Sequence, residues 1–191
     1  MAVAELTREH NGHTVPPAGT YDFDAAHTNV SFSVRHMMVA KVRGTIDAPG
    51  GSFTIGEDPA ESSVEVDLDW STVNTGEPNR DTHLKSPDFF DVDNYPTVTF
   101  RSTSVRHVKG DHWAVDGELT IQKITKPVTL DLEFNGVGKD PYGNVKAGFS
   151  ATTKINREDF GLTYNAILET GGVMVGKEIT IEIDVEAKLR V

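Results

Sequence analysis

The last stretch of the chain alternates apolar and polar residues without a break. From Ile179 to Val191 every second residue is apolar, and residues such as Thr180, Glu182 and Arg190 lie between them. A period of two places successive side chains on opposite faces, so this run predicts a long strand with one apolar and one wet face. Further runs with the same period cover residues 30–34, 64–70, 113–121, 128–134 and 147–155. The chain is therefore predicted to be all-β.

Short turns separate the predicted strands, which favours antiparallel neighbours. The segments APGG at 48–51 and GKDPYGN at 138–144 are rich in the glycine, proline, asparagine and aspartate residues that form turns. Long strands with one apolar face either stack as a sandwich or close into a barrel. Because a regular apolar strand at an open edge promotes aggregation, we predict a closed, elongated antiparallel barrel. Barrels of about eight strands fill themselves with side chains or hold one small ligand.

The composition narrows the classes of partner. The chain has 191 residues, which suits one domain, and its formal net charge of -11 opposes nucleic-acid binding, which needs a basic face. The same net charge disfavours electrostatic docking to an anionic bilayer. The sequence contains no cysteine, so disulfides, thiolate nucleophiles and cysteine-ligated metal sites are excluded.

The N-terminal residues differ from the rest of the chain. They carry neither the basic nor the apolar region of a secretion signal, and no apolar run approaches the roughly 20 residues of a membrane span. We therefore expect a cytoplasmic protein without a stable membrane span. Residues 1–18 lack periodicity and contain Pro16 and Pro17, so they are predicted to form a flexible arm that precedes the barrel domain at 19–191.

The alternation stops between residues 79 and 90, where charged side chains precede two adjacent rings. Arg80, Asp81 and His83 are followed by Phe89 and Phe90. Adjacent exposed rings are unfavourable, so this segment is predicted to be a short helical crossover that covers one mouth of the barrel. The charged cluster has two interpretations: Arg80 contacts the polar head of a ligand, or it forms a structural ion pair with Asp81. The polar residues of the 79–90 stretch also include capping candidates: Asn79 could cap one short helix, and Ser86 followed by Pro87 predicts the start of another. A further short helical turn is predicted between residues 164 and 168.

Several blocks of the sequence resemble one family. The segment YDFDAAHTNVSFSVRHMMVAKVRG at 21–44 resembles the opening of the YceI-like family of lipid-binding proteins. The segment NRDTHLKSPDFFDVDNYPTVTF at 79–100 is similar to its central signature, and GELTIQKITKPVTL at 117–130 to a later strand pair. INREDFG at 155–161 resembles its Arg-x-x-Phe-Gly element, with Arg157 as the arginine. The resemblance covers about residues 19–191.

This resemblance implies an extended, lipocalin-like antiparallel barrel with a long apolar cavity for a polyisoprenoid or similar amphiphilic chain. From the alternation alone, the large rings are ordinary core residues, and the resemblance favours cavity lining instead. The predicted ligand-binding residues are His27, Phe32, His36, Trp70, Arg80, Asp81, His83, Phe89, Phe90, Phe100, Phe134, Phe149 and Arg157. A homodimer is plausible on the same grounds.

The histidines leave a second functional hypothesis open. His27, His36 and His83 could form a three-histidine zinc site, but they lack the close spacing typical of such sites, so no metal and no cofactor is predicted. The favoured function is binding of a long isoprenoid, such as a prenyl diphosphate or a prenylated quinone, for carriage, storage, sequestration or stress protection. The alternatives are an enzyme that acts on a lipid through one of these histidines, and an interaction module whose barrel is filled.

Overall fold

The computed structural model describes residues 6–190, which form twelve strands and one α-helix. The helix, α1, spans Pro78–Lys85, and short 3₁₀ turns occupy Pro59–Glu61, Trp70–Thr72 and Arg157–Phe160. The strands are β1 Arg8–His10, β2 His13–Val15, β3 Gly19–Phe23, β4 Asn29–His36, β5 Ala40–Ile46, β6 Ser52–Ile55, β7 Ser63–Asp69, β8 Thr97–Lys109, β9 His112–Ile121, β10 Ile124–Lys139, β11 Val145–Asn156 and β12 Val175–Leu189.

Eight antiparallel strands close into a barrel, as the alternation predicts. The order around the ring is β11, β10, β9, β8, β7, β6, β3 and β12, and β12 pairs again with β11. Two strands share the edge of β12 that faces away from β11. β3 pairs with residues 187–189 of β12, and β4 pairs with residues 175–184 of β12. β5 extends this branch by pairing with β4. Closure leaves the long C-terminal strand without a free apolar edge.

Alternation places the predicted rings inside the barrel. Phe134 of β10 lies directly opposite Phe149 of β11, and both side chains are buried. Gly117 leaves room for another interior ring: a Cβ atom at this position would lie 2.4 Å from Phe100 Cζ. The inward-facing positions are thus filled by large apolar groups, and glycine occurs where a ring approaches the backbone of the neighbouring strand.

The predicted crossover helix is confirmed, although its caps differ from the prediction. Glu77, rather than Asn79, is the N-cap, and its carboxylate accepts hydrogen bonds from the backbone N–H groups of Asn79 and Arg80. Ser86 is the C-cap of this helix and does not begin a second one. The helical turn expected at 164–168 does not form: residues 161–174 are a loop held by an Ile167–Val173 bridge, and the 3₁₀ turn lies just before it.

The described part of the N-terminal segment also differs from the irregular arm expected from its sequence. β1 and β2 form a hairpin, and Arg8 donates hydrogen bonds to the carbonyl groups of Gly56 and Glu57 at 2.5 and 2.6 Å. Val15 is only 1% exposed. Polar residues occupy the turn and the outer face of this hairpin. The sequence therefore shows no alternation that would have predicted the buried contact of Val15. The domain boundary at residue 19 stays a prediction.

The barrel has two distinguishable ends. At the N-terminal end, the hairpin lies near Tyr21, Trp113, Phe134 and Phe149. The His13 ring of the hairpin stacks on the His107 ring with a centroid distance of 3.6 Å. The Tyr21 hydroxyl donates to Pro17 O at 2.8 Å, and burial raises the pKa of Tyr21 to about 12. At the helix end lie Trp70, α1, the phenylalanine pair 89–90, Arg157 and loop 161–174.

Candidate ligand-binding cavity

An apolar cavity of about 310 Å³ runs between the two ends of the barrel. This volume is at the lower limit of the roughly 300–1,000 Å³ that is typical of ligand pockets. Its wall consists of inward-facing strand residues, with Phe134 and Phe149 towards the N-terminal end and Phe32 and Trp70 towards the helix end. Such a wall favours an apolar chain, because burying apolar surface is worth about 25 cal/mol per Å².

The phenylalanine pair closes the helix end from inside, as the interrupted alternation predicts. Phe89 and Phe90 both line the cavity. The Phe90 ring stacks on Trp70 with a centroid distance of 3.8 Å, and Phe32 lies 5.7 Å from the same indole. Gln122 Nε2 donates to the Phe89 carbonyl at 2.5 Å and ties the crossover to the β9–β10 turn. Four aromatic side chains therefore form a lid over this mouth.

Arg157 is the one charged residue in the described cavity wall, and it is 2% exposed. Its guanidinium donates to the carbonyl oxygens of Leu162 at 2.5 Å, Gly176 at 2.8 Å and Val175 at 3.3 Å. Desolvation lowers the pKa of Arg157, while nearby Glu158 acts in the opposite direction. No carboxylate in the described chain lies within ion-pairing distance of it; Glu158 itself pairs with Lys177. A buried cation held only by carbonyl dipoles can still attract an anion.

Trp70 adds a second donor to the same wall. It is 7% exposed, and its indole Nε1 is the one buried side-chain polar atom in the described residues that has no hydrogen-bond partner. A buried donor without an acceptor is unfavourable by about 1–3 kcal/mol. The indole was predicted from sequence as a lining ring, but its unpaired N–H has no signal in the sequence, since it depends on how the ring is oriented.

The structure does not bring Arg80, Asp81 or His83 to the cavity wall. Arg80 donates to the hydroxyl and carbonyl oxygens of Thr75 at 2.7 and 2.9 Å. Asp81 accepts from the Thr75 backbone and hydroxyl at 2.9 and 2.6 Å, so the two charges share one threonine instead of pairing with each other. His83 lies 2.8 Å from an Asp88 oxygen, with its ring against Phe89 and Tyr164. These contacts fix the crossover.

His27 and His36 are separated from each other and from the cavity wall. His36 is at the end of β4, opposite Ala40 and Val175. His27 Nδ1 lies 3.0 Å from an Asp24 oxygen and 3.6 Å from a Glu186 oxygen. The structure therefore does not assemble the three histidines into one centre. Phe100, by contrast, lines the cavity as predicted.

Asp24, His27 and Glu186 present ligand atoms within 4.8 Å of one another, the geometry of a possible cation site. Lys146 already occupies its centre: Nζ lies 2.5 Å from Asp24 and 2.6 Å from Glu186. Hydrogen bonds from Lys146 and then His27 hold the pKa of Asp24 well below its usual range, and the two carboxylates raise the pKa of Lys146. The cluster is an ion-pair latch between β3, β11 and β12, which sequence reasoning missed because its members are far apart in the chain.

Among residues 6–190, no helix is long and apolar enough to cross a membrane.

Comparisons with known proteins agree with this architecture. A model of the YceI-like domain matches residues 21–187. A UPF0312 protein from Staphylococcus aureus (strain N315) is 40% identical over 171 residues, which cover 87% of this chain and 95% of the relative. BcnA from Burkholderia cenocepacia has a TM-score of 0.73 at 22% identity, covering 86% of this chain and 99% of that one. A polyisoprenoid binding domain from Saccharophagus degradans has a TM-score of 0.64 at 13% identity, covering 91% and 100%. At these identities the two structures establish the fold alone.

Proposed function

This chain belongs to the YceI-like family, and from that premise we propose that it binds a long isoprenoid or similar amphiphilic lipid inside its barrel. The observation that carries the proposal is the apolar cavity with a single buried, carboxylate-free cation in its wall. The fold neighbour from Saccharophagus degradans is described as a polyisoprenoid binding domain, which supports the same ligand class.

The apolar wall would supply most of the affinity. Burial contributes about 0.8 kcal/mol per CH₂ group, so each five-carbon unit of an isoprenoid adds several kcal/mol before ordering costs. A chain lying along the cavity would contact Phe32 near the helix end and Phe134 and Phe149 further in. Its methyl branches pack against rings and β-branched side chains. Length and flexibility of the chain would therefore set the affinity, within the volume of the cavity.

The polar end of the ligand would lie at the helix end. Arg157 and the unpaired Trp70 Nε1 are both hydrogen-bond donors, and neither has a carboxylate partner in the described chain. They would complement an acceptor: the oxygens of a diphosphate or carboxylate, or a quinone carbonyl. Arg80, which the sequence suggested for this role, is satisfied by Thr75, so we assign the head-group contact to Arg157.

Mass spectrometry of the native protein and lipid extraction of freshly purified material test the proposal directly. The proposal predicts a bound isoprenoid, or uptake of farnesyl diphosphate and a prenylated quinone offered in detergent. A protein that carries no lipid and takes up neither ligand would reject it.

Substitution of Arg157 tests the head-group assignment. Arg157→Met should weaken the binding of farnesyl diphosphate by about 1.5–3 kcal/mol, the range for a charge-assisted hydrogen bond. It should weaken the binding of farnesol much less. The loss of the carbonyl contacts would disturb the binding of both ligands. Comparing the change in affinity for the two ligands on the same variant therefore isolates the contribution of the head group. Arg80→Met is the matched control and should alter both affinities equally or not at all. Equal losses for both ligands in Arg157→Met would remove the head-group role.

The enzymatic alternative has less support. It needs a titratable group at the ligand, and His27, His36 and His83 all lie outside the cavity wall. The cytoplasmic location, the homodimer and the choice among carriage, storage, sequestration and stress protection stay predictions. The same native mass spectra would give the oligomeric state.

A further inference from the structure

The β4–β5 turn at the helix end exposes apolar side chains beside the cavity. Met38 is 67% exposed and Val39 81%, and Ile167 in the neighbouring loop 161–174 is 89% exposed. The two segments form one surface, because Met37 N donates to Met174 O at 2.8 Å and Ile167 is bridged to Val173. Val34, three residues before Met37, lines the cavity, so the turn lies within about 10 Å of the wall. We call Met37, Met38, Val39 and Ile167 the apolar tip.

The backbone of this turn is an unfavourable one for methionine. Met37 and Met38 have φ angles of 49° and 62°, and Val39 N bonds to His36 O at 3.1 Å. Two successive positive φ angles define the tight hairpin turn that asparagine and glycine prefer. A left-handed backbone is unfavourable for a residue other than glycine. The turn therefore carries two large apolar side chains at some loss of stability, which points to a role for them outside the fold.

Cations surround the apolar tip on a protein that is otherwise acidic. Residues 28–46 contain Arg35, Lys41 and Arg43 and no aspartate or glutamate, although the whole chain has a net charge of -11. Arg35 and Lys41 are directly opposite each other across the β4–β5 ladder, and Arg43 follows Lys41 on the same outer face. Like charges in this arrangement repel.

None of these three cations forms an ion pair in the described chain. On the adjoining segments Glu178 pairs with Lys154 and Glu158 with Lys177, while Glu182 lies opposite Ser31, further along β4 from the turn. Glu169 is the one acidic residue in loop 161–174. A repulsive cluster without an internal partner fits an anionic surface outside the protein.

We propose that the apolar tip and its flanking cations dock the helix end of the barrel onto an anionic phospholipid surface. The exposed methionine and valine side chains would enter the boundary between headgroups and acyl chains, while Arg35, Lys41 and Arg43 contact lipid phosphates. The net negative charge does not prevent this, because charges further than about 8 Å are largely screened at physiological ionic strength. Docking would place the cavity mouth at the bilayer, where lipid could be exchanged. Lipid exchange rests on the proposed function, whereas the docking itself does not depend on it.

Co-sedimentation with vesicles at physiological salt tests the docking. The protein should bind vesicles of equimolar phosphatidylglycerol and phosphatidylcholine, bind pure phosphatidylcholine much more weakly, and lose binding at high salt. Arg35→Glu/Lys41→Glu/Arg43→Glu should lower the partition coefficient by roughly 100-fold or more, given three surface cations. The control Lys109→Glu/Lys139→Glu/Lys188→Glu has the same net charge and reverses exposed lysines towards the other end, so it should bind as the parent does.

A turn variant separates docking from folding. Met37→Asn/Met38→Gly provides the residues that this turn prefers, so its thermal midpoint should rise or stay level while vesicle binding falls at least tenfold. The proposal is overturned if the parent protein does not bind anionic vesicles, or if the lysine control loses as much vesicle binding as the test variant. It is also overturned if the turn variant binds fully, or if the parent self-associates through the tip. Isoprenoid uptake from detergent is measured in parallel, so a failure of docking with intact uptake leaves the proposed function standing.

Discussion

The two ends of the barrel are built on different principles. At the N-terminal end, the covering element is a β-hairpin, and buried apolar groups meet in close contact: Tyr21, Ala147 and Ala187 are fully buried and Val15 is 1% exposed. The Asp24–Lys146–Glu186 latch joins three strands across the same end. Little there could move without breaking several contacts together.

The helix end is covered by an exposed helix and a loop, beneath which Trp70, Phe89 and Phe160 are buried. The helix α1 has no buried residue, and the loop after the 3₁₀ turn exposes Ile167. The unpaired Trp70 N–H and the carboxylate-free Arg157 are at this end too. The helix end therefore keeps one unpaired donor, a cation without a carboxylate partner and exposed apolar groups, at the end where we propose that the ligand and a membrane surface meet.

The largest expected difference between the ends comes from a charge placed in each. Phe134→Asp buries a carboxylate without a partner and should prevent folding or lower the free energy of unfolding by several kcal/mol. Phe90 belongs to the lid, where the chain can move away, so the Phe90→Asp protein should fold with a smaller loss of stability. Urea denaturation of both variants makes the comparison. A Phe134→Asp protein as stable as the parent would mean that this face is not buried.

Removal of the N-terminal hairpin gives the next effect in size. Deleting residues 1–15 exposes the surface that Val15 covers, which corresponds to about 2 kcal/mol for one buried aliphatic side chain. In a domain of this length the thermal midpoint should fall by about 4–8 °C. An unchanged midpoint in differential scanning calorimetry would restore the flexible arm predicted from the sequence and would make the two ends alike.

The ion-pair latch predicts a dependence on pH that belongs to the N-terminal end. The pKa of Asp24 is lowered in the folded state, so its contribution to stability is complete above the unfolded pKa of about 3.9 and is lost as pH falls below it. Asp24→Asn should therefore be less stable than the parent between about pH 5 and 7, and the gap should narrow below about pH 4.

Asp88→Asn, which removes the partner of His83 at the helix end, is the control for this titration, because Asp88 lies in the exposed crossover. A difference in stability between Asp24→Asn and the parent that stays constant down to pH 2 would contradict the role of the latch. Measurements down to pH 2 are sufficient because carboxylates in the unfolded chain titrate near a pKa of about 4.

The smallest effect concerns the unpaired indole. Trp70→Phe removes a buried donor that has no acceptor, so the loss of ring volume is partly offset and stability should change by less than about 1–2 kcal/mol. Affinity for a quinone or diphosphate ligand should nevertheless fall. Trp113→Phe at the other end is the matched variant, with unchanged head-group selectivity expected. An increase in affinity in Trp70→Phe would show that its N–H does not meet the ligand.

The barrel and its lining rings could be predicted because period two reports directly which side chains share a face. Phe134 and Phe149 follow from alternation, and Phe89 and Phe90 from its interruption. The N-cap of α1 could not be placed, since asparagine is a preferred N-cap residue and glutamate is not, yet Glu77 rather than Asn79 accepts the hydrogen bonds of the first turn. Arg80 and Arg157 illustrate the same limit for the site. Both follow an asparagine and precede an acidic residue in the sequence, so their neighbours do not separate them. In the structure Thr75 satisfies Arg80, while Arg157 reaches only backbone carbonyl groups inside the barrel.

The orientation of a bound lipid tests the central contrast between the ends most directly, and the two tryptophans report on one end each. Trp113→Phe leaves Trp70 at the helix end, and Trp70→Phe leaves Trp113 at the N-terminal end. Fluorescence quenching is measured with an isoprenoid that carries a nitroxide either at its head or at the end of its tail. We expect the head label to quench Trp70 more strongly and the tail label to quench Trp113 more strongly. Equal quenching of both residues by each label, or the reverse order, would contradict a mouth at the helix end.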